Sequence, residues 1–203
     1  SGLSKSNYLI PLAFVFFGLS FFSYHSAKVV VPLVVLTACL LNIKRILANK
    51  EMLTASIVVT LAFAVLIVFE PRILGLARVN QTKFSEEIVI KNGGELKTIV
   101  NNYKKYFSYS YLFEKGDQQP RASVKVIGQF YKIDLLLILV CLFALIFNKK
   151  WQPLLLIIVW LLVSPIPGAL SSTEPSATRG IFMLGAVVLL SSFGASSIVL
   201  LFK

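Results

Sequence analysis

The sequence predicts an all-α polytopic membrane protein with about six transmembrane helices and one large polar segment between them. Hydrophobic residues make up 57% of the chain and its mean hydropathy is +0.81, which exceeds the roughly 45–50% apolar content of soluble domains. The apolar residues also fall in long runs, a pattern typical of membrane spans. A polar stretch of about sixty residues separates two blocks of these runs, so it must lie in water on one side of the bilayer.

The predicted spans divide the chain into three parts: 1–70 with three helices, the polar segment 71–132, and 133–203 with three more. Short turns and prolines separate the spans, because proline cannot continue a helix ladder. The chain begins and ends abruptly, so we expect a fragment of a longer protein. The six predicted spans are residues 8–22, 29–43, 52–69, 134–147, 153–163 and 180–202.

The polar segment predicts mixed structure. Residues 84–90 have the composition of a strand and are followed by an Asn-Gly-Gly turn signal, which allows a short strand pair. Residues 95–107 predict an amphipathic helix, with its lysines turned away from the apolar face. Such a helix could lie along a membrane surface. The apolar and aromatic residues at three- and four-residue spacing are Leu96, Ile99, Val100, Tyr103 and Phe107.

Charge predicts the orientation and the kind of partner. The net charge of +11 favours anionic lipid or a phosphorylated lipid, and nucleic acid is not an expected partner of so apolar a chain. The basic turns at 44–50 and 149–150 favour a cytoplasmic position for that side. The polar segment favours the reverse orientation, because it holds eleven Lys and Arg and five Asp and Glu. Its length, however, is near the limit of roughly 60 residues beyond which the charge of a loop no longer affects orientation. We therefore predict that 71–132 is extracytoplasmic.

The loop 164–180, which reads SPIPGALSSTEPSATRG, contains the first candidate site. Thr173 is the predicted N-cap of the last span, with Glu174 and Pro175 in the first turn. This start places Arg179 within the first two turns. The N–H groups of a helix N-terminus and a neighbouring Arg together favour an anion such as a lipid phosphate. The alternative is that Arg179 only anchors the helix at the interface.

Two further stretches hold candidate residues. Tyr24 and His25 precede the second span and Lys28 lies in its first turn; His25 could bind phosphate, transfer a proton or only bond to backbone. Asp117 with Arg121 four residues later could orient a sugar or a phosphate, or form an ordinary solvated turn. With a single His, a His-built metal site is nearly excluded. The chain has no nucleophile elbow, phosphate-binding glycine loop or metal motif, so no metal or cofactor is predicted.

Three stretches of the chain resemble, in the same order, three segments of a known protein family. Residues 18–28 read GLSFFSYHSAK, residues 113–134 contain FEKGD, Arg121 and GQFYKID, and residues 164–179 run from SPIP to PSATR. They are similar to the segments G-L-S-x-Y-x-Y-x-S-A-R/K, F-F-x-G-D-x-x-x-R-H with G-x-L-Y-x-x-D, and P-I-P-x-x-L-T with P-H-x-x-R. These segments belong to bacterial membrane glycosyltransferases of the GT-C superfamily, which includes dolichyl-phosphate-mannose–protein mannosyltransferase-like and aminoarabinose-transferase-like enzymes. The resemblance covers nearly the whole chain.

The resemblance implies a multi-pass enzyme of the cytoplasmic (inner) membrane. Such enzymes transfer a sugar from a polyprenyl-phosphate carrier to a protein, lipid or glycan acceptor at the outer face, with inversion. Their catalytic carboxylate lies in a first extracytoplasmic loop that this chain lacks, so the fragment would supply the carrier-binding half. Ala122 and Ser176 replace histidines that are frequent in the family. The residues that the resemblance assigns to the carrier phosphate or the sugar are Arg179, Arg121, His25, Lys28, Asp117 and Tyr24.

Two other functions remain open at this point. A transporter or flippase for an anionic lipid would place charged residues or broken helices at mid-membrane, whereas the centres of the predicted spans are nearly free of charge. A structural membrane subunit with a basic extracytoplasmic domain would tolerate replacement of Arg179 and Arg121 without loss of activity in the intact protein.

Overall fold

The computed structural model describes residues 9–48, 50, 53–54, 57–58, 60–61, 84, 86–118, 127–170 and 174–201. Within these ranges the regular secondary structure is entirely helical. The chain divides into two compact units, Ser1–Gln81 and Thr82–Lys203. The α-helical part of the predicted fold class is therefore confirmed.

Residues 9–48 of the first unit form two packed helices and a short third one. Helix α2 buries a face whose members recur at three- and four-residue spacing, and α1 packs against α2. The predicted spans 8–22 and 29–43 are therefore confirmed as helices with slightly shifted ends. Of the predicted span 52–69, residues 53–54, 57–58 and 60–61 are described and are helical, and the rest lies outside the described residues. The helices of this unit whose bounds lie within the described residues are α1 (Leu9–Ser23), α2 (Ala27–Leu41) and α3 (Ile43–Ala48).

The second unit combines a small polar layer with three apolar helices. Helix α9 packs against α6 and α7, whereas α5 packs against α4 and α8. The elements in order are α4 (Glu86–Asn92), α5 (Glu95–Tyr106), a π-helical turn (Ser110–Glu114), α6 (Lys132–Phe147), α7 (Trp151–Val163), α8 (Ile166–Ala169) and α9 (Phe182–Leu201).

The prediction of a strand at 84–90 is wrong, because Glu86–Asn92 is an α-helix. Acids at its start and Lys91 in its last turn suit the helix dipole. The helix ends in a Schellman motif, in which Gly94 N–H donates to Val89 O at 2.9 Å and Gly93 N–H to Ile90 O at 3.0 Å. Gly93 has φ 76°, which a glycine adopts without strain. The Ile-Val-Ile sequence misled the prediction because strand propensity depends on packing in a sheet.

The apolar core of the second unit lies among α6, α7 and α9. Helices α6 and α7 form a hairpin through residues 148–150, and Lys149 in this connection has φ 54°. A Cβ built on Gly194 of α9 would overlap the backbone of Leu137 in α6. The two helices therefore approach closely at a small residue, as transmembrane helices commonly do. The buried core residues are Cys141, Leu145, Leu154, Ile157, Ala186 and Leu190.

Two stretches, Trp151–Ala169 and Phe182–Val199, are apolar and long enough to cross a membrane by length and composition. They correspond to the fifth and sixth predicted spans. Helices α1 and α2 have 15 residues each and α6 has 16, fewer than the roughly 20 that a crossing needs. The structure therefore supports two potential spans among the described residues and does not support six.

Asp134, the third residue of α6, caps the start of this helix with its side chain. The Asp134 carboxylate accepts a hydrogen bond from the Tyr131 N–H at 3.0 Å, which satisfies a donor at the helix start. Helix α6 begins at Lys132, two residues before the predicted start of the fourth span. Asp134 thus has a structural role in the Y-x-x-D stretch.

Candidate functional site

The amphipathic helix predicted at 95–107 is confirmed as α5, Glu95–Tyr106. Its buried face, however, is formed by Thr98, Asn102 and Tyr106, which lie at four-residue spacing. The apolar residues that carried the prediction are largely outside this face, and Leu96 is 79% exposed. Helix α5 therefore attaches to the unit through small, polar and aromatic side chains.

Tyr106 connects α5 to the loop that precedes α9. Its side chain is 1% exposed, and its hydroxyl accepts a hydrogen bond from the Ser176 N–H at 3.1 Å. The ring fits because two neighbours are glycines: a Cβ on Gly168 would overlap the Tyr106 hydroxyl, and a Cβ on Gly180 would lie 3.0 Å from the ring. Sequence reasoning missed this buried role, since the glycines are more than 60 residues away.

Asp117 connects a second segment to the same loop. Gly116 has φ 64° and turns the chain after the π-helical turn, a backbone conformation that favours glycine. The Asp117 side chain is 0% exposed, and its Oδ2 accepts a hydrogen bond from the Ala177 N–H at 2.7 Å. Two of the three stretches that carry the family resemblance are therefore joined directly. Asp117 holds the loop backbone and does not line the neighbouring cleft.

Two contacts at the surface complete the attachment of α5. The Tyr103 hydroxyl donates to the Leu162 carbonyl at 2.8 Å, near the C-terminal end of α7 where carbonyls lack helical partners. Lys105 Nζ lies 2.6 Å from Glu174 Oε1. The side chains of this ion pair are 44% and 65% exposed, so it contributes at most about 1 kcal/mol. The buried contacts of Tyr106 and Asp117 dominate the attachment.

The structure corrects the predicted start of the last span. Helix α9 begins at Phe182, so Glu174 and Pro175 are not in its first turn, and Thr173 lies outside the described residues. Arg179 is half-buried in the turn before the helix. The Met183 N–H donates to Gly180 O at 2.9 Å and the Leu184 N–H to Ile181 O at 3.1 Å. The N–H groups that follow the predicted cap also have protein acceptors, because Ser176 donates to Tyr106 and Ala177 to Asp117. Arg179 is the cationic residue of the loop.

A cleft of about 280 Å³ lies beside this loop. One wall is held by the Phe130 N–H, which donates to Leu112 O at 2.8 Å. Gly128 is required there because a Cβ would overlap the backbone of Leu112 and Phe113. The lining is mainly apolar, with a few polar groups, as in most small-molecule sites. The lining residues are Tyr111, Gln129, Phe130, Ala177, Thr178, Gly180, Ile181, Met183 and Leu184.

Tyr111 is the buried phenol of the cleft. Burial raises the pKa of Tyr111 above its ordinary value of 10.0, and Tyr106 and Asp117 raise it further. Its ring also packs edge-on against Tyr106, with centroids 5.4 Å apart. At neutral pH the hydroxyl therefore remains protonated and can donate a hydrogen bond.

This raised pKa predicts a loss of stability in alkali. The folded state binds the Tyr111 proton more tightly than the unfolded chain does, so the contribution is complete below pH 10 and is lost as the pH rises further. We expect the melting temperature to fall above about pH 10, and to fall less steeply in Tyr111→Phe. Thermal unfolding measured across this range tests the expectation. Tyr109→Phe, at a phenol that is 50% exposed, is the matched control; equal slopes in both variants would contradict it.

Three other candidate residues, Tyr24, His25 and Lys28, lie in the first unit. Tyr24 and His25 occupy the turn before α2, and Lys28 is in the first turn of that helix, as predicted. Lys28 Nζ lies 3.4 Å from His25 Nδ1. Because an ammonium can only donate, this contact makes Nδ1 an acceptor. Arg121 lies outside the described residues.

Among the described residues, no group of three or more His, Cys, Asp and Glu side chains could hold a metal ion. Comparison of the chain with models of protein families, with curated proteins and with solved structures finds no match. The chemistry of the site therefore follows from its own side chains: a loop with a half-buried Arg179, fixed at Ser176 and Ala177, beside an apolar cleft.

Proposed function

We propose that this chain is the carrier-binding half of a membrane glycosyltransferase of the GT-C type. In this proposal six helices cross the cytoplasmic membrane, and the polar segment and the Arg179 loop lie at its outer face. The donor is a sugar on a polyprenyl phosphate, and the acceptor is a protein, lipid or glycan. A carboxylate outside this chain would deprotonate the acceptor.

The observation that carries the proposal is the hydrogen bond between Asp117 and the Ala177 N–H, at 2.7 Å. The resemblance singled out the stretches around these residues, which are 60 positions apart, and the bond joins them beside one cleft. A fully buried carboxylate bound to backbone is a strong means of fixing a loop, because charge-assisted hydrogen bonds are about twice as strong as neutral ones.

The chemistry of the site suits a lipid phosphate. The apolar cleft can take hydrocarbon, while Arg179 can bind the phosphate and stabilise its charge as the sugar leaves. The protonated Tyr111 adds a neutral donor on the cleft wall. The resemblance also names Arg121, His25, Lys28 and Tyr24 as carrier-binding residues, and they are further candidates for substitution.

The test is the binding of farnesyl phosphate to the purified chain in detergent. We expect farnesyl phosphate to raise the melting temperature more than farnesol or inorganic phosphate does. In Arg179→Ala the affinity should fall about tenfold to a hundredfold, because hydrogen bonds to charged groups contribute about 1.5–3 kcal/mol. Arg179→Lys should retain part of the affinity, since lysine keeps the charge without the planar fork.

Lys150→Ala removes an exposed cation from the connection between α6 and α7 and is the control for net charge. Its affinity for farnesyl phosphate should be unchanged. Equal protection of Arg179→Ala and the unsubstituted chain would reject the proposed phosphate site. Equal protection by farnesol and farnesyl phosphate would reject recognition of phosphate altogether.

A further inference from the structure

The hairpin of α4 and α5 exposes a set of aliphatic side chains. Leu96 is 79% exposed and Val100 48%, and on α4 Ile90 is 78% and Ile88 38% exposed. At 3.6 residues per turn, the Leu96–Val100 strip lies about 140° around α5 from the buried face of Thr98, Asn102 and Tyr106. Helix α5 is therefore attached to the unit through its buried face, and the Leu96–Val100 strip is exposed on a different side of the helix.

The position of α5 relates the strip to a potential membrane span. The Tyr103 hydroxyl binds the carbonyl of Leu162, and the side chain of Leu162 is itself 47% exposed. Leu162 is the penultimate residue of α7 and lies within the apolar stretch Trp151–Ala169, which is long enough to cross a membrane. Helix α5 thus lies beside the C-terminal end of α7, on the side of the unit that carries the Arg179 loop.

The charges of α5 match the surface of a membrane. Lys97 and Lys104 are exposed and border the strip on the side away from the buried face. Glu95 is in the first turn, on the other side of the strip. An apolar strip bordered by lysines is the pattern of a helix that lies in the membrane interface. Lysines near such a surface are attracted to anionic headgroups.

We propose that the α4–α5 hairpin docks on the bilayer through Leu96, Val100 and Ile90, with Lys97 and Lys104 against anionic lipid headgroups. The docking rests on the membrane placement in the proposed function but requires no carrier lipid. The buried face of the same helix binds the Ser176 N–H through Tyr106. Contact with the membrane therefore sets the height of the Arg179 loop above the bilayer.

The experiment places one cysteine at a time in the full chain, with Cys39→Ser and Cys141→Ala as background. Leu96→Cys and Val100→Cys carry an environment-sensitive fluorophore in the strip. Asn101→Cys is the matched control, because Asn101 is exposed on the same helix about 120° away from the strip. The labelled proteins are reconstituted in vesicles that contain phosphatidylglycerol and lipids with a nitroxide either near the headgroup or deep in the acyl chain.

We expect blue-shifted emission at positions 96 and 100, with stronger quenching by the shallow nitroxide, because an interfacial helix buries its apolar face only about 5–10 Å. Position 101 should be unshifted and weakly quenched. Lys97→Gln with Lys104→Gln should reduce the quenching at position 96 in the same vesicles.

Equal emission and quenching at all three positions would overturn the docking. Disulfide crosslinking between copies through Leu96→Cys, without quenching, would assign the strip to a second copy and would also overturn it. Farnesyl phosphate binding is measured separately. Quenching without such binding would support docking and reject the carrier site, whereas binding without quenching would retain the carrier site and reject docking.

Discussion

Replacement of Asp117 with alanine is expected to destabilise the second unit and to weaken binding of farnesyl phosphate together. The buried carboxylate accepts the Ala177 N–H at 2.7 Å, and its loss leaves that donor without its acceptor, at a cost of roughly 1–3 kcal/mol. For a chain of this size, each kcal/mol corresponds to about 2–4 °C in melting temperature. Because the same bond fixes the loop that carries Arg179, the affinity should fall in the same variant.

Asp117→Asn separates the hydrogen bond from the charge. The amide oxygen can still accept the Ala177 N–H, so Asp117→Asn should be more stable than Asp117→Ala. Thermal unfolding and farnesyl phosphate titration of both variants test this ordering. If Asp117→Ala melts at the temperature of the unsubstituted chain, the bond does not hold the loop. If it is destabilised but binds farnesyl phosphate normally, the loop does not form the phosphate site.

Gly194→Ala is expected to be the most disruptive single-methyl substitution in the contact between α6 and α9. The added Cβ overlaps the backbone of Leu137, and backbone cannot rotate away as a side chain can. Overpacking costs about 1–3 kcal/mol, whereas alanine improves helix propensity by at most about 1 kcal/mol over glycine. The steric effect should therefore prevail, and Gly194→Val should be worse.

Ser192→Thr is the matched control, because it adds a methyl group at an exposed position of α9. In thermal unfolding of the purified chain in detergent, the melting temperature of Gly194→Ala should be several degrees lower than that of this control. Equal melting temperatures for the two variants would contradict close contact between the helices.

Local sequence signals were sufficient for the position of most helices. The apolar runs predicted α1, α2, α6, α7 and α9, and the spacing of apolar residues predicted α5 to within one residue at its C-terminus. Such signals succeed because helix formation and hydrophobicity depend on residues a few positions apart. They failed at 84–90, where an Ile-Val-Ile run read as a strand, because strand formation needs a partner that the helical unit does not supply.

The candidate site was only partly predictable. The sequence singled out Asp117 and Arg179. It assigned Asp117 to a sugar or a phosphate, whereas the carboxylate binds the Ala177 N–H. It placed Arg179 inside the last helix, which begins three residues later at Phe182. It gave no role to Tyr106, whose contacts at Gly168 and Ser176 are more than 60 residues distant in the chain. Periodicity cannot report such contacts, because it records only neighbours on the same element.

The amino-acid sequence alone was enough for a mainly helical chain with apolar helices, a basic amphipathic helix and cationic loops, because composition and short-range spacing encode these properties. Tertiary packing decided which side of α5 is buried, since Gly168 and Gly180 admit the Tyr106 ring and leave Leu96 exposed. It also decided that the segment ending at Asp117 holds the loop at Ala177. A buried carboxylate needs a donor, and only the folded chain brings that N–H within reach.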